Sequence, residues 1–145
     1  MTEYDLIRNI SMKFPRSRQQ LNGLFECDAE LIQIGDQTWG MSMDEFSPEE
    51  DRFTSDQPEI LGANLAVATL SDLFAAGIEP RFFMHALSLP KNCSASFSDA
   101  LMNGIKSILA QTDCHLLGGD LGTAETWRYC GFAMGQAGSN GPITR

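Results

Sequence analysis

The sequence predicts an α+β fold in which a mixed or antiparallel sheet carries its helices on one face. Two short strand-forming segments, Ala29–Ile34 and Thr38–Met43, flank the turn-forming pair Gly35-Asp36, as in a β-hairpin. Two long helical stretches, Glu59–Ala76 and Phe97–Gln111, each stand between strand-forming segments, as crossover helices do. A sheet covered on one side must hide its second face, and pairing of two copies through that face is a natural solution.

The other elements follow from hydrophobic spacing and from residues that end helices and strands. Tyr4–Phe14 has apolar residues at helical spacing and is followed by Pro15, so a short amphipathic helix is predicted there. Gly77 and Pro80 end the long helix. The further predicted strands are Arg81–Leu89, Cys114–Leu117 and Thr126–Gln136. One domain over 1–145 is expected, with a linker starting near its end.

The composition is that of a globular domain, and it excludes several classes of function. Acidic residues (19) outnumber basic ones (10), and the formal net charge of −9 disfavours nucleic acid and anionic lipid as partners. This acidity suits a cation site, although solubility alone also explains it. The four cysteines form no Cys-x-x-Cys pair and no zinc-finger spacing with His85 or His115. With no signal peptide and no apolar run of membrane-spanning length, a cytoplasmic location is expected.

The longest helix carries a few polar side chains on an otherwise apolar surface. A helix that is apolar nearly all round is buried, and the spacing of Asn64, Ser71 and Asp72 places them along one ridge of it. A buried carboxylate has to be neutralised or hydrogen-bonded. Two interpretations of Asp72 therefore stay open: it binds a metal ion, or it caps a loop or pairs with an arginine.

Three more aspartates, Asp28, Asp44 and Asp120, stand at the ends of apolar segments, where an open sheet places its ligand groups. Mg²⁺ needs only one or two carboxylates beside phosphate oxygens and water, so several aspartates can serve more than one ion around a triphosphate. Each aspartate alone is more typical of a turn or a cap. The glycine-rich turn predicted at 118–122 would let backbone amides approach a phosphate, although it matches neither a Walker loop nor a dinucleotide fingerprint.

Several segments together resemble the thiamine-monophosphate kinases of the aminoimidazole-ribonucleotide-synthetase (PurM-like) superfamily. Leu61–Pro80 is similar to the family's alanine-rich helix, with Leu-Ser-Asp-Leu and a Gly-x-x-Pro end. Leu117–Asp120 matches its Gly-Gly-Asp motif, and Ser42–Asp44 is similar to its Ser-Thr-Asp. Cys27–Ala29 stands where the family has Gly-Asp-Asp-Ala, and Phe83–Pro90 ends in its Leu-x-Leu-Pro. The similarity covers most of the chain.

The resemblance implies both a fold and an activity. A four-stranded sheet is expected to pair with that of a second copy into a barrel, with ATP along the interface of this homodimer. The residues expected to bind Mg²⁺ are Asp28, Asp44, Asp72 and Asp120. The residues expected at the nucleotide are Asn64, Gly118, Gly119 and Asp120. The expected activity is phosphoryl transfer from ATP to a small phosphorylated substrate, in which the protein positions the phosphates and neutralises their charge.

Departures from the family pattern keep other interpretations open. Cys27 replaces the first aspartate of the Asp-Asp pair, the stretch Glu45–Glu49 lacks the family's glycine and histidine pattern, and Leu121–Thr123 follows the Gly-Gly-Asp motif in place of two threonines. Gly141–Arg145 resembles the junction to a second domain, which is absent from the sequence. The alternatives are a dimerisation or regulatory module without catalysis, another superfamily member (aminoimidazole ribonucleotide synthetase, selenophosphate synthetase or hydrogenase maturation factor), or an unrelated α+β binding domain.

Overall fold

The computed structural model describes residues 1–53 and 55–145, which form a five-stranded sheet with two helices packed on one face and a further helix near the N-terminus. The elements in chain order are α1 (Glu3–Ser11), β1 (Glu30–Ile34), β2 (Gln37–Phe46), α2 (Pro58–Ala75), β3 (Ile78–Leu89), α3 (Ala95–Gln111), β4 (His115–Thr123) and β5 (Arg128–Ala137). The strand order is β1-β2-β5-β3-β4; β3 and β4 run parallel and all other neighbours antiparallel. The predicted α+β fold is confirmed.

The hairpin predicted around Gly35 is present, and β2 is longer than predicted. Gly35 has a φ of +61°, a left-handed conformation that glycine adopts without steric cost. β1 pairs with β2 only from Ile34 back to Glu30, which lies opposite Met41. β5 continues to pair with β2 as far as Phe46. The second half of β2 therefore has an edge that β1 does not cover.

The sheet has five strands rather than the four that the resemblance implied, and the glycine-rich turn predicted at 118–122 is wrong. Those residues lie inside β4, which pairs with β3 from His115 to Thr123. A Cβ placed on Gly119 would come within 1.8 Å of the His85 carbonyl oxygen. The glycine is thus needed for the close approach of two parallel strands, and it does not form a loop.

Helices α2 and α3 pack on each other, and α2 packs on the sheet. A Cβ on Gly62 of α2 would lie 2.0 Å from the Leu101 carbonyl oxygen, and one on Gly104 of α3 would lie 1.9 Å from the Glu59 carbonyl oxygen. The two backbones therefore touch at these glycines. The largest side chains buried between the helices and the sheet include Leu61, Leu65, Leu70, Leu73, Leu101, Phe83 and Tyr129.

The opposite face of the sheet is not covered by any described element, and it is called the open face below. Its apolar side chains are Trp39, Met41, Met43, Phe82, Met84, Phe132 and Met134. Met43 is 69% exposed and Met84 is 41% exposed. Within the residues that the structure describes, no helix combines the length and the apolar character required to cross a membrane.

Candidate functional site

Helix α2 carries Asp72 against the uncovered half of β2. The helix lies close to the sheet because Gly131 of β5 has no side chain; a Cβ there would come within 2.1 Å of the Thr69 hydroxyl oxygen. Asp72 follows Thr69 by three residues, so it lies on a neighbouring part of the same helix surface. There the Ser42 hydroxyl donates a hydrogen bond of 3.3 Å to Asp72 Oδ2. The predicted polar residue of the buried helix is therefore in contact with the sheet.

Asp44 follows Ser42 by two residues on the same strand, so its carboxylate is on the same side of the sheet as Asp72. Burial raises the pKa of Asp44 above its ordinary value, and the negative charge of Asp72 raises it further. A carboxylate whose ionisation is disfavoured by burial and by a neighbouring negative charge is stabilised by a nearby cation. A cation bound beside Asp44 would relieve both the burial of its charge and its repulsion by Asp72.

A notch of about 460 Å³ opens between the start of β1, the free edge of β2 and helix α2. We call it the acidic notch. Its lining residues are Asp28, Glu30, Met41, Ser42, Met43, Asp72 and Phe132. The notch exists because β1 begins only at Glu30 and leaves the following part of β2 unpaired. Three of the side chains at the notch carry carboxylates, which gives it a strongly negative character.

Asp28 is already paired with a cation of the chain itself. The Arg145 guanidinium donates to Asp28 Oδ1, and the Arg145 backbone N–H donates to the Glu26 carbonyl oxygen at 2.7 Å. The Cys27 thiol lies 3.3 Å from the Ile143 carbonyl oxygen. The C-terminal segment therefore covers the Cys27–Asp28 stretch and neutralises one carboxylate of the acidic notch.

Asp120 lies on the open face of the sheet, whereas Asp44 and Asp72 lie on the helix-facing side. Within one chain, the four predicted aspartates therefore do not come together. The register places Asp120 beside Ala86, then Cys130 and Glu45, all of which point to the open face. Asp44 belongs to the row one residue away, which points to the helices. Among the described residues, no group of three or more His, Cys, Asp or Glu side chains is close enough together to hold a metal ion.

The other predicted nucleotide residues are also dispersed. Asn64 is half-buried on α2, about 12 Å along the helix axis from Asp72 at the usual rise per residue. Gly118 and Gly119 are part of β4. Ser71, the third residue of the predicted ridge, is exposed and donates to the Ala68 carbonyl oxygen at 2.7 Å, so its hydroxyl is satisfied by its own helix.

Sequence reasoning missed Glu30 at the notch and the role of Ser42 beside Asp72. The alternation Ser42-x-Asp44 on a strand was a usable indication, because residues two apart point to the same face. His85 of β3 lies on the helix-facing side of the sheet with Nδ1 3.3 Å from the Tyr129 hydroxyl. Burial lowers the pKa of this histidine, which favours its neutral form.

The oxygen atoms at and beside the acidic notch are of the type that a hard divalent cation takes as ligands. Asp44, Asp72 and Ser42 offer oxygen atoms only, and Mg²⁺ in phosphate sites takes one or two carboxylates, with phosphate oxygens and water as its other ligands. Burial and the charge of Asp72 raise the pKa of Asp44, so its ionised form would be stabilised by a bound cation. Within the part of the chain that the structure describes, these residues are compatible in donor type with such an ion but do not form a complete protein cage for it.

Comparison with known proteins identifies the type of domain. Residues 26–137 match the family described as AIR synthase related protein, N-terminal domain. The chain is 28% identical over 137 residues to a thiamine-monophosphate kinase of Archaeoglobus fulgidus, an alignment that covers 94% of the chain and 45% of that relative. It thus spans less than half the length of this curated relative.

Solved structures show the same architecture. A thiamine-monophosphate kinase from Stenotrophomonas maltophilia K279a superposes with a TM-score of 0.69 at 26% identity, over 99% of this chain and 45% of that one. A structure of AaThiL complexed with AMPPCP and TMP superposes with a TM-score of 0.79 at 21% identity, over 92% of this chain and 41% of that one. At that identity the second likeness shows the fold alone.

Proposed function

We propose, from the premise that the chain belongs to the AIR synthase related proteins and corresponds to their N-terminal domain, that it binds ATP together with Mg²⁺. It would do so as part of an ATP-dependent phosphotransferase resembling thiamine-monophosphate kinase. The observation that carries this proposal is the pair of carboxylates at Asp44 and Asp72. Asp72 lines the acidic notch with Ser42, and Asp44 lies close enough for the charge of Asp72 to raise its pKa. The relatives named as thiamine-monophosphate kinases support the reaction class.

The residues of the notch have distinct roles in this proposal. Asp72, held by the Ser42 hydroxyl, and Asp44 would hold a magnesium ion, which when bound neutralises the charge of the phosphates. Asp28 would join this set if the Arg145 guanidinium moved away from it, because Asp28 and Asp72 both line the acidic notch. No proton transfer by the protein is required for the binding step.

In this proposal, Asp120 takes part in nucleotide binding when a second copy of the chain pairs with the first. The open face presents a wide apolar surface, and Asp120 lies on it near Met84 and Cys130. If two open faces pair, these methionines are buried and Asp120 comes to lie at the interface, where the nucleotide is expected. A homodimer of this kind would bring a residue of β4 from one copy towards the notch region of the other.

The proposal predicts that magnesium-dependent ATP binding requires the carboxylates of Asp44 and Asp72. Isothermal titration of the chain with ATP and Mg²⁺ should give a measurable heat, and Asp72→Asn should weaken binding at least about tenfold, because a charge-assisted interaction contributes about 1.5–3 kcal/mol. Asp99→Asn is the matched control, since it removes the same charge from an exposed position on α3. No heat with the unmodified chain, or equal losses in both variants, would reject the function.

A second candidate function is a dimerisation or regulatory module without catalysis. Two observations favour it: Cys27 replaces an expected acid, and Arg145 already neutralises Asp28.

Thiamine monophosphate is the first small phosphorylated substrate to test, because it is the substrate that the relatives' names specify. Transfer of phosphate from ATP to it by this chain would exclude the second candidate, and nucleotide binding without transfer would support it.

A further inference from the structure

Helix α1 is folded at its N-terminus but packs on almost nothing. Its capping box is complete: the Asp5 N–H donates to the Thr2 hydroxyl at 3.2 Å, and the Thr2 N–H donates to Asp5 Oδ2 at 2.9 Å. None of its residues is buried. A nine-residue helix is too short to be stable by itself in water, so a lasting α1 needs an apolar partner.

The apolar side of α1 is continuous and exposed. Tyr4, Leu6, Ile7 and Ile10 lie on one side at helical spacing, and they are 61%, 46%, 37% and 50% exposed. Asn9 lies outside this apolar arc, on the side of the helix that carries Asp5. We call the four apolar side chains the α1 face. A stripe of this width normally packs against the interior of a protein.

The α1 face lies next to the segment that Arg145 contacts. The Tyr4 ring is 4.9 Å from the Phe25 ring, and the residue after Phe25 accepts the Arg145 N–H at 2.7 Å. Phe25 itself has a φ of +66°, a left-handed conformation that costs a bulky residue energy. Arg145 and the N-terminal turn of α1 are therefore both anchored at one short segment, 25–26.

The length of the relatives identifies what would cover this surface. The chain spans 45% of the Archaeoglobus fulgidus kinase and 45% of the Stenotrophomonas maltophilia structure, and the matched family is an N-terminal domain. In those relatives a further stretch of similar length lies outside the match. A domain continuing from position 145 would start beside the α1 face.

We propose that the α1 face is the docking surface for a second domain of the kind that makes up the other half of these relatives. The second domain would bury Leu6, Ile7 and Ile10 and thereby order α1. The acidic side chains of Glu3 and Asp5 in the first turn argue against an anionic lipid surface as the occupant. The proposal does not depend on whether the acidic notch binds ATP.

Hydrogen exchange of the α1 amides tests the proposal. The probe is a fusion in which the chain continues from Arg145 into the C-terminal half of the Archaeoglobus fulgidus kinase, compared with the 145-residue chain alone. The amides of 6–11 should exchange at least about tenfold more slowly in the fusion, because burial of the helix suppresses local opening. Ile10→Glu in the fusion should abolish this slowing, whereas Asn9→Glu, which adds the same charge on the other side of α1, should retain it.

Three results would overturn the proposal. The first is equally fast exchange in the fusion and in the chain alone, and the second is an equal loss of slowing in both variants. The third is slow exchange in the chain alone that depends on protein concentration, or appears with phosphatidylserine vesicles, since a second copy or a membrane would then cover the α1 face. If the fusion fails to fold, the two halves mixed in trans provide the same readout, and unchanged exchange at saturating second half would count against the proposal.

Discussion

At the scale of single residues, Asp44 should lower the stability of the empty domain at neutral pH. Its pKa is raised in the folded state by burial and by Asp72, so the folded chain binds its proton more tightly than the unfolded chain does. Stability therefore falls as the pH rises from the ordinary value of 3.8 through the raised value, and the penalty is absent at lower pH. Asp44→Asn should stabilise the fold at pH 7 by no more than about 1 kcal/mol, because the group is partly exposed and screened.

Urea unfolding at pH 7 and at a pH below 3.8 measures this difference. Asp36→Asn, at the exposed turn between β1 and β2, is the control for removing one charge from an acidic protein. An Asp44→Asn variant that is stabilised equally at both pH values would show that ionisation of Asp44 is not the cause.

The residues of the candidate site were predictable only where one element determines their direction. Periodicity within a single helix placed Asp72 on a buried surface, and in the structure Asp72 accepts a hydrogen bond from Ser42 of the sheet, which the sequence did not indicate. The face on which Asp120 lies depends on a register shift between β3 and β4: Phe83 pairs with Leu116, but Met84 pairs with Gly118. Leu117 is skipped, and one skipped residue turns all later side chains of β4 to the other face. No pattern within β4 alone contains that information.

At the scale of elements, the contact between α2 and α3 depends on two glycines. Gly104→Ala should destabilise the domain by about 2 kcal/mol, since its Cβ would lie 1.9 Å from the Glu59 carbonyl oxygen and the helices would have to separate. This outcome runs against helix propensity, which favours alanine over glycine by about 1 kcal/mol. Thermal unfolding followed by circular dichroism measures it.

Gly138→Ala is the matched control for the helix contact, because a Cβ there meets nothing within 4 Å. It should be neutral or slightly stabilising through the unfolded state. Equal melting temperatures for the two variants would contradict the close helix packing.

The bounds of the two helices were largely predictable from the sequence, but their close packing was not. A glycine within a helix has the same spacing in the sequence whether or not another backbone touches it.

At the scale of the whole molecule, two of the uncovered apolar surfaces would suit different partners. The α1 face is next to Arg145 and suits a domain that continues the chain. The open face spans four strands from β2 to β4, and its methionines can adapt to a second copy of the same surface. The sequence pattern predicted that the second sheet face would need a partner, but the side chains on that face are identified only once the strands are in register.

The last prediction concerns association through the open face. In a two-fold dimer each substitution occurs twice, so Met84→Lys should raise the dimer dissociation constant at least about tenfold by placing two buried charges at the interface. Leu121→Lys is the control, because Leu121 is 78% exposed and lies in the row of Leu87, which points to the helices. Each copy carries a formal charge of −9, so added salt should tighten the dimer by screening repulsion. Sedimentation equilibrium measures both effects, and a larger loss with Leu121→Lys would indicate association through the edge of β4 instead of the open face.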